Sequence, residues 1–190
     1  MKLDEDFVKE VSDYCDKNDI LLIIDEVQTG NGRTGSLYAF QQFGIKPDIV
    51  STAKGLGGGL PIGACMMGEK VKDTLTPGSH GSTFGGNPVV CAGAYNIISR
   101  IDDELLEGVR RKSEYIISEL SSAEGIKSVS GMGLMLGLET EKDAKEVVKK
   151  CREMGVLVLT AKQKVRLLPP LNIEDDILEK AVQIIKEAAK

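Results

Sequence analysis

Residues 20–54 read ILLIIDEVQTGNGRTGSLYAFQQFGIKPDIVSTAK and contain two short apolar runs, each followed directly by a charged side chain. The first run, residues 20–24, leads into Asp25, and the second, residues 49–53, leads into Lys54. Short runs rich in isoleucine and valine, bounded by turn residues, are typical of buried parallel strands. We therefore expect an α/β fold in which these two strands belong to one sheet.

The carboxylate of Asp25 and the amine of Lys54 are expected at the same edge of that sheet. Ligands of open α/β sheets bind outside the carboxyl ends of parallel strands, which is where both side chains fall. A surface ion pair between them is one interpretation, and a shared ligand is the other. A lysine can act as a base or as a Schiff-base nucleophile, and an acidic partner for a pyridine nitrogen completes the set of groups that pyridoxal phosphate requires.

The composition is that of an ordinary globular protein, with 190 residues, 42% hydrophobic residues and a formal net charge of −5. The acidic balance and the lack of a basic patch argue against nucleic acid as the main partner. No apolar run approaches the roughly 20 residues that span a bilayer, so we expect no membrane partner. Residues 1–11 predict an acidic amphipathic helix and not a signal peptide.

The cysteines and the single histidine limit the metal and redox chemistry. Four widely spaced cysteines, at 15, 65, 91 and 151, fit neither a zinc pattern nor a small disulfide scaffold. His80 alone excludes a site that needs two histidines from this chain, and we expect it to order its loop and not to act as a catalyst. No metal site is therefore expected, and a cytoplasmic location follows from the unpaired thiols.

The order of the predicted elements divides the chain near residue 101. Before that point we expect, besides the two strands, a helix over 4–17, a short helix over 37–43, an antiparallel strand in 60–67 and a mostly buried helix over 89–101 that starts at Pro88. After it we expect a small α+β domain with helices over 102–120, 142–154 and 174–188 and strands in 126–139, 156–160 and 165–168. In the last helix the inward side chains are expected to be Ile177, Leu178, Ala181, Val182 and Ile185.

Several polar groups along the first part add to the Asp25–Lys54 pair. Gln28 follows Asp25 closely and could hydrogen-bond a phenolic oxygen, while Ser82 and Thr83 offer hydroxyls that suit a phosphate. The helix that starts at Pro88 also presents an anion-favouring N-terminus. The glycines of residues 55–59 fit either close passage of a flat ring or ordinary turns, and no P-loop pattern follows them.

Four segments, in chain order, resemble the class III aminotransferases, which belong to fold type I of the pyridoxal-phosphate enzymes. They are DEVQTGNGRTG at 25–35, PDIVSTAKGLGGGLPIGA at 47–64, HGSTFGGNP at 80–88 and VRLLPPL at 165–171. The resemblance covers nearly the whole chain, but it corresponds only to the C-terminal half of such an enzyme. It implies that residues 1–101 are part of the large cofactor-binding domain, with a mixed or parallel sheet, and that residues 102–190 are the small C-terminal domain.

The resemblance also implies roles for individual residues. Lys54 would be the Schiff-base lysine and Asp25 the partner of the pyridine nitrogen, while Thr83 would bind the phosphate from the neighbouring subunit of a homodimer. Ser82 would touch the acylated substrate, and Arg166 would hold the substrate carboxylate, although a solvated arginine at a strand edge is the alternative. The cofactor contacts so implied are Asp25, Glu26, Val27, Gln28, Lys54 and Thr83.

The function implied by the resemblance is transamination between an amino donor and 2-oxoglutarate. Within the family the chain is most similar to the branch that acts on N-acetylornithine or a related acylated diamino acid, in arginine biosynthesis, with lysine biosynthesis as a further implied pathway. Ornithine or 4-aminobutyrate as donor, and an aminomutase or decarboxylase reaction, are the enzymatic alternatives. An inactive fragment that serves only as an interaction module is the non-enzymatic one. Because the phosphate turn and the aromatic that stacks on the ring are missing from these residues, we expect little activity from this chain alone.

Overall fold

The computed structural model describes residues 2–190 and divides them into two compact units. The first unit comprises Leu3–Asp103, and the second comprises Glu104–Lys190 together with Lys2. The helices, strands and turns of each are built from local sequence signals that are mostly visible in the chain itself.

The first unit contains a three-stranded sheet with strands β1 (Ile23–Asp25), β2 (Ile49–Thr52) and β3 (Ala64–Met67), in that order. β1 and β2 are parallel, with Ile23 opposite Ile49 and Asp25 opposite Ser51, and β3 is antiparallel to β2. This confirms the predicted parallel pair and the antiparallel third strand. The strands are shorter than expected, and β1 begins three residues later than the apolar run.

The helices and 3₁₀ turns of this unit begin at recognisable caps. Helix α1 (Glu5–Lys17) starts after Asp4, whose carboxylate accepts from the backbone N–H groups of Asp6 and Phe7 at 3.0 and 3.2 Å. Helix α2 (Pro88–Ile98) starts after Asn87, with proline at its first position as predicted. The expected short helix near residue 40 is a 3₁₀ turn, Ala39–Phe43, and a second 3₁₀ turn follows β2 at Lys54–Gly57.

The apolar faces of this unit are largely exposed, which contradicts the prediction of a buried first strand and a buried helix at 89–101, whereas Val50 of β2 is buried as predicted. In β1 the side chain of Ile23 is 63% exposed, and α1 contains no buried residue. In α2 only Ala94 is buried, while Tyr95 is 77% exposed. The apolar pattern correctly marks faces that need a partner, but no element of this unit covers them within the described part of the chain.

The second unit is a four-stranded antiparallel sheet with three helices against an apolar core. Its strands are β4 (Ile126–Met132), β5 (Met135–Thr140), β6 (Leu159–Ala161) and β7 (Lys164–Leu167), in the order β4-β5-β7-β6. Its helices are α3 (Asp103–Ser121), α4 (Ala144–Glu153) and α5 (Asp175–Ala189). This confirms the predicted strand pair at 126–139. The strand expected at 156–160 begins three residues later, as β6.

The core of this unit is formed by side chains from every helix and from three of the four strands. Val109, Leu138, Val147 and Val165 are fully buried within it. In α5 the predicted inward positions Leu178, Val182 and Ile185 are buried, but Ile177 is 47% exposed. Ile177 lies one residue from Leu178 and therefore about 100° around the helix, at the margin of the buried face.

Cys151, on the buried face of α4, should resist thiol reagents in the native protein. The side chain is fully buried, and this burial raises the pKa of its thiol, so both access and the thiolate fraction are reduced. Cys91 on α2 is exposed and serves as the internal comparison. We expect modification of Cys151 to be at least about 100-fold slower than that of Cys91 without denaturant, and equally fast in urea. Equal native rates, measured by peptide mass spectrometry, would contradict the burial of α4.

Candidate active site

Asp25 is the last residue of β1, and its carboxylate is held in a defined orientation. Its Oδ1 accepts from the backbone N–H of Val27 at 2.9 Å and from the hydroxyl of Ser51 at 3.2 Å. Ser51 lies directly opposite Asp25 in the parallel pair, so the ladder itself brings the hydroxyl to the carboxylate. The Asp25 side chain remains exposed. The carboxyl ends of β1 and β2 therefore fix the orientation of the Asp25 carboxylate.

Lys54 follows β2 at the same edge of the sheet and starts the second 3₁₀ turn. Its backbone has φ of +49°, a left-handed conformation that is uncommon for a residue with a Cβ. The turn is closed by the bond from the N–H of Leu56 to the carbonyl of Ala53, at 3.1 Å. The Lys54 side chain is exposed. A carboxylate and an amine thus lie at the carboxyl ends of two paired parallel strands, as predicted.

The surface ion pair, which was one interpretation of this arrangement, is not formed. Within residues 2–190 no salt bridge joins Asp25 to Lys54, and both known partners of the carboxylate are neutral groups. Both Asp25 hydrogen bonds reach Oδ1, and no group in the described part of the chain engages Oδ2. The structure therefore leaves both charged groups accessible for a ligand.

Glu26, the next residue, points the opposite way and is fully buried. One carboxylate oxygen accepts from the backbone N–H of Phe40 at 2.9 Å, and the other accepts from the hydroxyl of Thr29. Gly30 lies against the Glu26 backbone and the Tyr38 ring, because a Cβ at this position would come within 2.8 Å of the Glu26 carbonyl oxygen and 2.9 Å of the ring. The Glu26 side chain therefore holds the loop between β1 and β2, and its expected contact with the cofactor stays a prediction.

Val27 and Gln28 continue the chain from the Asp25 edge, with Val27 half-buried and Gln28 exposed.

The glycines after Lys54 lie in close contact with other parts of the protein. A Cβ at Gly57 would lie 2.8 Å from Ile62, and one at Gly58 would lie 2.6 Å from Ile97 of α2. For these two positions the structure supports the turn-and-packing explanation over passage of a flat ring.

Ser82 and Thr83 lie in an exposed loop that precedes α2. The Ser82 hydroxyl accepts from the backbone N–H of Gly85 at 3.0 Å and so forms a local turn. No hydrogen bond joins Ser82 or Thr83 to Asp25 or Lys54 among residues 2–190. The structure of one chain therefore does not assemble these hydroxyls with the Asp25–Lys54 pair, and their predicted roles stay predictions.

Arg166 belongs to the second unit, where it lies in the middle of the sheet. On β7 it pairs with Gly137 of β5 on one side and with Leu159 of β6 on the other. Its side chain is half-buried and has interaction partners, so it is not the fully solvated arginine of the alternative interpretation. Its role toward a substrate stays a prediction.

Two residues at the site were not identified from the sequence. Ser51 could have been found by aligning the ends of the two apolar runs, since equal strand ends place it opposite Asp25. Asn31 is 6% exposed, and its amide donates to the hydroxyl of Thr52 and to the carbonyl of Ala53, both at 3.1 Å. Its only sequence signal is its position between two glycines, where a left-handed backbone is common.

The sheet of the first unit and its Asp25–Lys54 edge form an α/β arrangement with a candidate lysine-bearing site, and comparison with known proteins gives the family. A family model described as aminotransferase class-III matches residues 1–189. The chain belongs to the class III aminotransferases, and this confirms the resemblance and the fold type inferred from the four segments. As a family these enzymes depend on pyridoxal phosphate. Among residues 2–190 the helices include none long and apolar enough to cross a membrane.

Individual relatives agree with this assignment. The chain is 50% identical to an acetylornithine aminotransferase of Haemophilus ducreyi, over 97% of this chain and 48% of the relative. A solved acetylornithine aminotransferase from Elizabethkingia anophelis superimposes with a TM-score of 0.90 at 34% identity, covering 97% of this chain and 51% of the other. An ornithine aminotransferase from Toxoplasma gondii gives 0.90 at 35% identity, covering 96% and 46%. The chain spans about half the length of the relatives it matches.

Proposed function

We propose that this chain supplies the lysine-bearing part of a pyridoxal-phosphate-dependent aminotransferase that moves an amino group from N-acetylornithine, or a related acylated diamino acid, to 2-oxoglutarate. The observation that carries the proposal is the Asp25–Lys54 pair. The two charged groups follow adjacent parallel strands, and neither neutralises the other in a salt bridge. The acetylornithine donor is supported by the relatives at 42–50% identity.

The Asp25 carboxylate suits the pyridine nitrogen of the cofactor. Oδ1 of Asp25 is already held by Val27 and Ser51, which leaves Oδ2 to accept from a protonated ring nitrogen. An anionic partner of this kind favours the protonated ring. When bound, pyridoxal phosphate supplies an electron sink for the α-carbon of the amino acid. Asp25 would sustain that property by holding its negative charge beside the ring nitrogen, which favours the protonated form of that nitrogen.

Lys54 would both hold the cofactor and move the proton. Its amine is exposed on a long, flexible stem, so it can reach a carbonyl carbon and can later leave it. As a free amine it would accept a proton from the substrate α-carbon. As an ammonium it would return that proton to C4′ of the cofactor. The left-handed backbone at Lys54 and the turn that follows it set the direction from which the amine approaches.

The remaining roles complete the proposal. Thr83 would bind the cofactor phosphate of the neighbouring subunit in a homodimer, as the resemblance to the family implies, and its loop is exposed. Val27 and Gln28 would line the ring, Ser82 would contact the acyl group of the substrate, and Arg166 would bind the substrate carboxylate as a bidentate fork. The proposed setting is cytoplasmic amino-acid biosynthesis, with arginine as the product and lysine as a further one.

A second candidate donor is ornithine. The ornithine aminotransferase of Toxoplasma gondii superimposes on this chain as well as the Elizabethkingia anophelis acetylornithine aminotransferase does, with a TM-score of 0.90 in both cases. The two donors differ at the distal nitrogen, which is a neutral amide in N-acetylornithine and a cation in ornithine. Comparing kcat/KM for the two donors, each with 2-oxoglutarate, decides between them.

The lysine assignment is tested by attachment of the cofactor. We expect pyridoxal phosphate followed by borohydride to label Lys54 in strong preference to the other exposed lysines of the 190-residue chain, as measured by peptide mass spectrometry. Uniform labelling of all exposed lysines would refute the proposed role. Turnover should be low for this chain alone, and robust turnover without any added partner would refute the expectation that further residues are needed.

A further inference from the structure

Asn31 belongs to the loop that follows β1, and its side chain reaches the residues that precede the turn carrying Lys54. Its side chain is buried, and its backbone has φ of +56°, a conformation that asparagine tolerates better than other residues with a Cβ. The amide nitrogen donates to Oγ1 of Thr52, the last residue of β2, and to the carbonyl oxygen of Ala53. One side chain thus joins the loop to both residues that immediately precede Lys54.

The orientation of this amide is determined by its partners. The Ala53 carbonyl can only accept a hydrogen bond, so the NH₂ group and not the oxygen of Asn31 must face it. The oxygen, Oδ1, is then buried without a hydrogen-bond partner among residues 2–190. An unpaired buried acceptor is costly, and an apolar side chain of similar size would avoid that cost. The amide is therefore best explained by its two donated bonds.

The two bonds reach the two residues that precede Lys54, one at the Thr52 side-chain hydroxyl and the other at the Ala53 backbone carbonyl. The Ala53 carbonyl also accepts from the N–H of Leu56, so Asn31 donates to the same oxygen that closes the 3₁₀ turn. On the other side of Lys54, a Cβ at Gly55 would lie 3.3 Å from the Cβ of Asn31, so the two residues are in close contact. A strained left-handed residue persists only where its surroundings fix it, and Asn31 contacts the residues before and after it.

We propose that Asn31 is a positioning residue for Lys54. Its amide fixes the Ala53 peptide, and through it the turn that presents the Lys54 amine toward the ligand held by Asp25. In this role Asn31 acts through Thr52 and Ala53 and not by contact with the cofactor or the substrate. This inference rests on the proposed function, because a positioned amine matters only if Lys54 forms the bond to the cofactor.

The test uses three variants of the full 190-residue chain. Asn31→Gly removes the amide but accepts the positive φ without strain. Thr52→Val removes one of the two hydrogen-bond acceptors and retains the bond to Ala53, so it reports a partial loss even if the glycine variant fails to fold. Asn18→Gly is the matched control. The side-chain amide of Asn18 also donates a hydrogen bond to a backbone carbonyl, that of Tyr14 at 2.8 Å, at the end of α1.

Two measurements are made on each variant. Hydrogen exchange at the Leu56 amide reports the turn without any cofactor, and we expect it to rise by about fivefold in Asn31→Gly, the factor that corresponds to one hydrogen bond. The preference of pyridoxal phosphate for Lys54 over the other lysines, after borohydride reduction, reports the position of the amine. We expect it to fall strongly in Asn31→Gly, partly in Thr52→Val and not at all in Asn18→Gly.

The outcomes separate the two proposals. If the unmodified chain shows no preference for Lys54, the proposed function fails and this inference fails with it. If the unmodified chain prefers Lys54 and both Asn31→Gly and Thr52→Val retain that preference, only the positioning role is overturned. A faster exchange of Leu56 with an unchanged Lys54 preference would likewise overturn it, because the amide would then be merely structural.

Discussion

Replacing Lys54 with alanine is expected to abolish the preferential attachment of pyridoxal phosphate to this chain, and to lower any transaminase turnover of the complete enzyme by at least about 100-fold. The reason is that the variant lacks both the nitrogen that bonds to the cofactor and the group that moves the proton. Peptide mass spectrometry after borohydride reduction checks the first effect, and the rate of 2-oxoglutarate-dependent amino transfer checks the second.

Two further variants show whether the effect of Lys54→Ala comes from the lost amine or only from the lost positive charge or an altered fold. Lys54→Arg keeps the positive charge, the stem and the left-handed backbone, but a guanidinium stays protonated and so cannot act as a base. It should therefore fail as completely as alanine. Lys46→Ala removes an exposed lysine from the same unit and should behave like the unmodified chain. If cofactor attachment to the peptide that contains position 54 persisted in Lys54→Ala, the assignment of the lysine would be wrong.

The Asp25–Lys54 edge could be predicted because its determinants are local. Each apolar run is followed directly by the side chain that carries the chemistry, so the ends of β1 and β2 are visible in the sequence. Parallel pairing of the two runs then places both charges at one edge without further information. The caps of α1 and α2 were predictable for the same reason, since an N-cap and its bonds lie within one helical turn.

Burial in the first unit could not be predicted from periodicity. An apolar face at helical spacing shows that a helix needs a partner, but it does not show which element supplies one. Tyr95 and Val89 of α2 fit a buried helix by pattern, and they are 77% and 68% exposed in this chain. The second unit supplies its own partners, and there the same reasoning succeeded for Leu178, Val182 and Ile185.

The side-chain network behind the site depends on contacts between distant residues, which single-sequence patterns do not reveal. Asn31 acts on Thr52 and Ala53, and the separation of 21 and 22 residues carries no periodic signal. Glu26 was predicted among the cofactor contacts because it lies within the motif that begins at Asp25, and the motif does not show to which side its side chain turns. Successive side chains at the end of a strand point to opposite faces, so an outward Asp25 leaves Glu26 directed inward.

Glu26→Ala is expected to destabilise the first unit by about 3 kcal/mol, the largest stability effect among these predictions. The substitution removes both acceptors and leaves the backbone N–H of Phe40 and the hydroxyl of Thr29 without partners in a buried loop. It also leaves a cavity where a fully buried side chain was. Urea unfolding measures the free energy, and hydrogen exchange at the Phe40 amide locates the loss in this loop.

Two controls make the magnitude interpretable. Glu26→Gln keeps the volume and one acceptor oxygen, so it should lose roughly half as much stability as alanine. Glu10→Ala removes an exposed carboxylate from α1 and should change stability by no more than about 0.5 kcal/mol. Equal stabilities for Glu26→Ala and Glu10→Ala would contradict the buried network.

The glutamine variant also distinguishes a scaffold residue from a cofactor contact. If Glu26 only holds the loop, Glu26→Gln should lower stability while retaining the preference of pyridoxal phosphate for Lys54, because Asp25 keeps its bonds to Val27 and Ser51. If Glu26 contacts the cofactor, the preference should fall while stability is retained. The fully buried carboxylate, with both oxygens occupied by Thr29 and Phe40, favours the first result. Asp25 would then be the one carboxylate of the pair that acts on the cofactor, and Glu26 the one that holds the loop behind it.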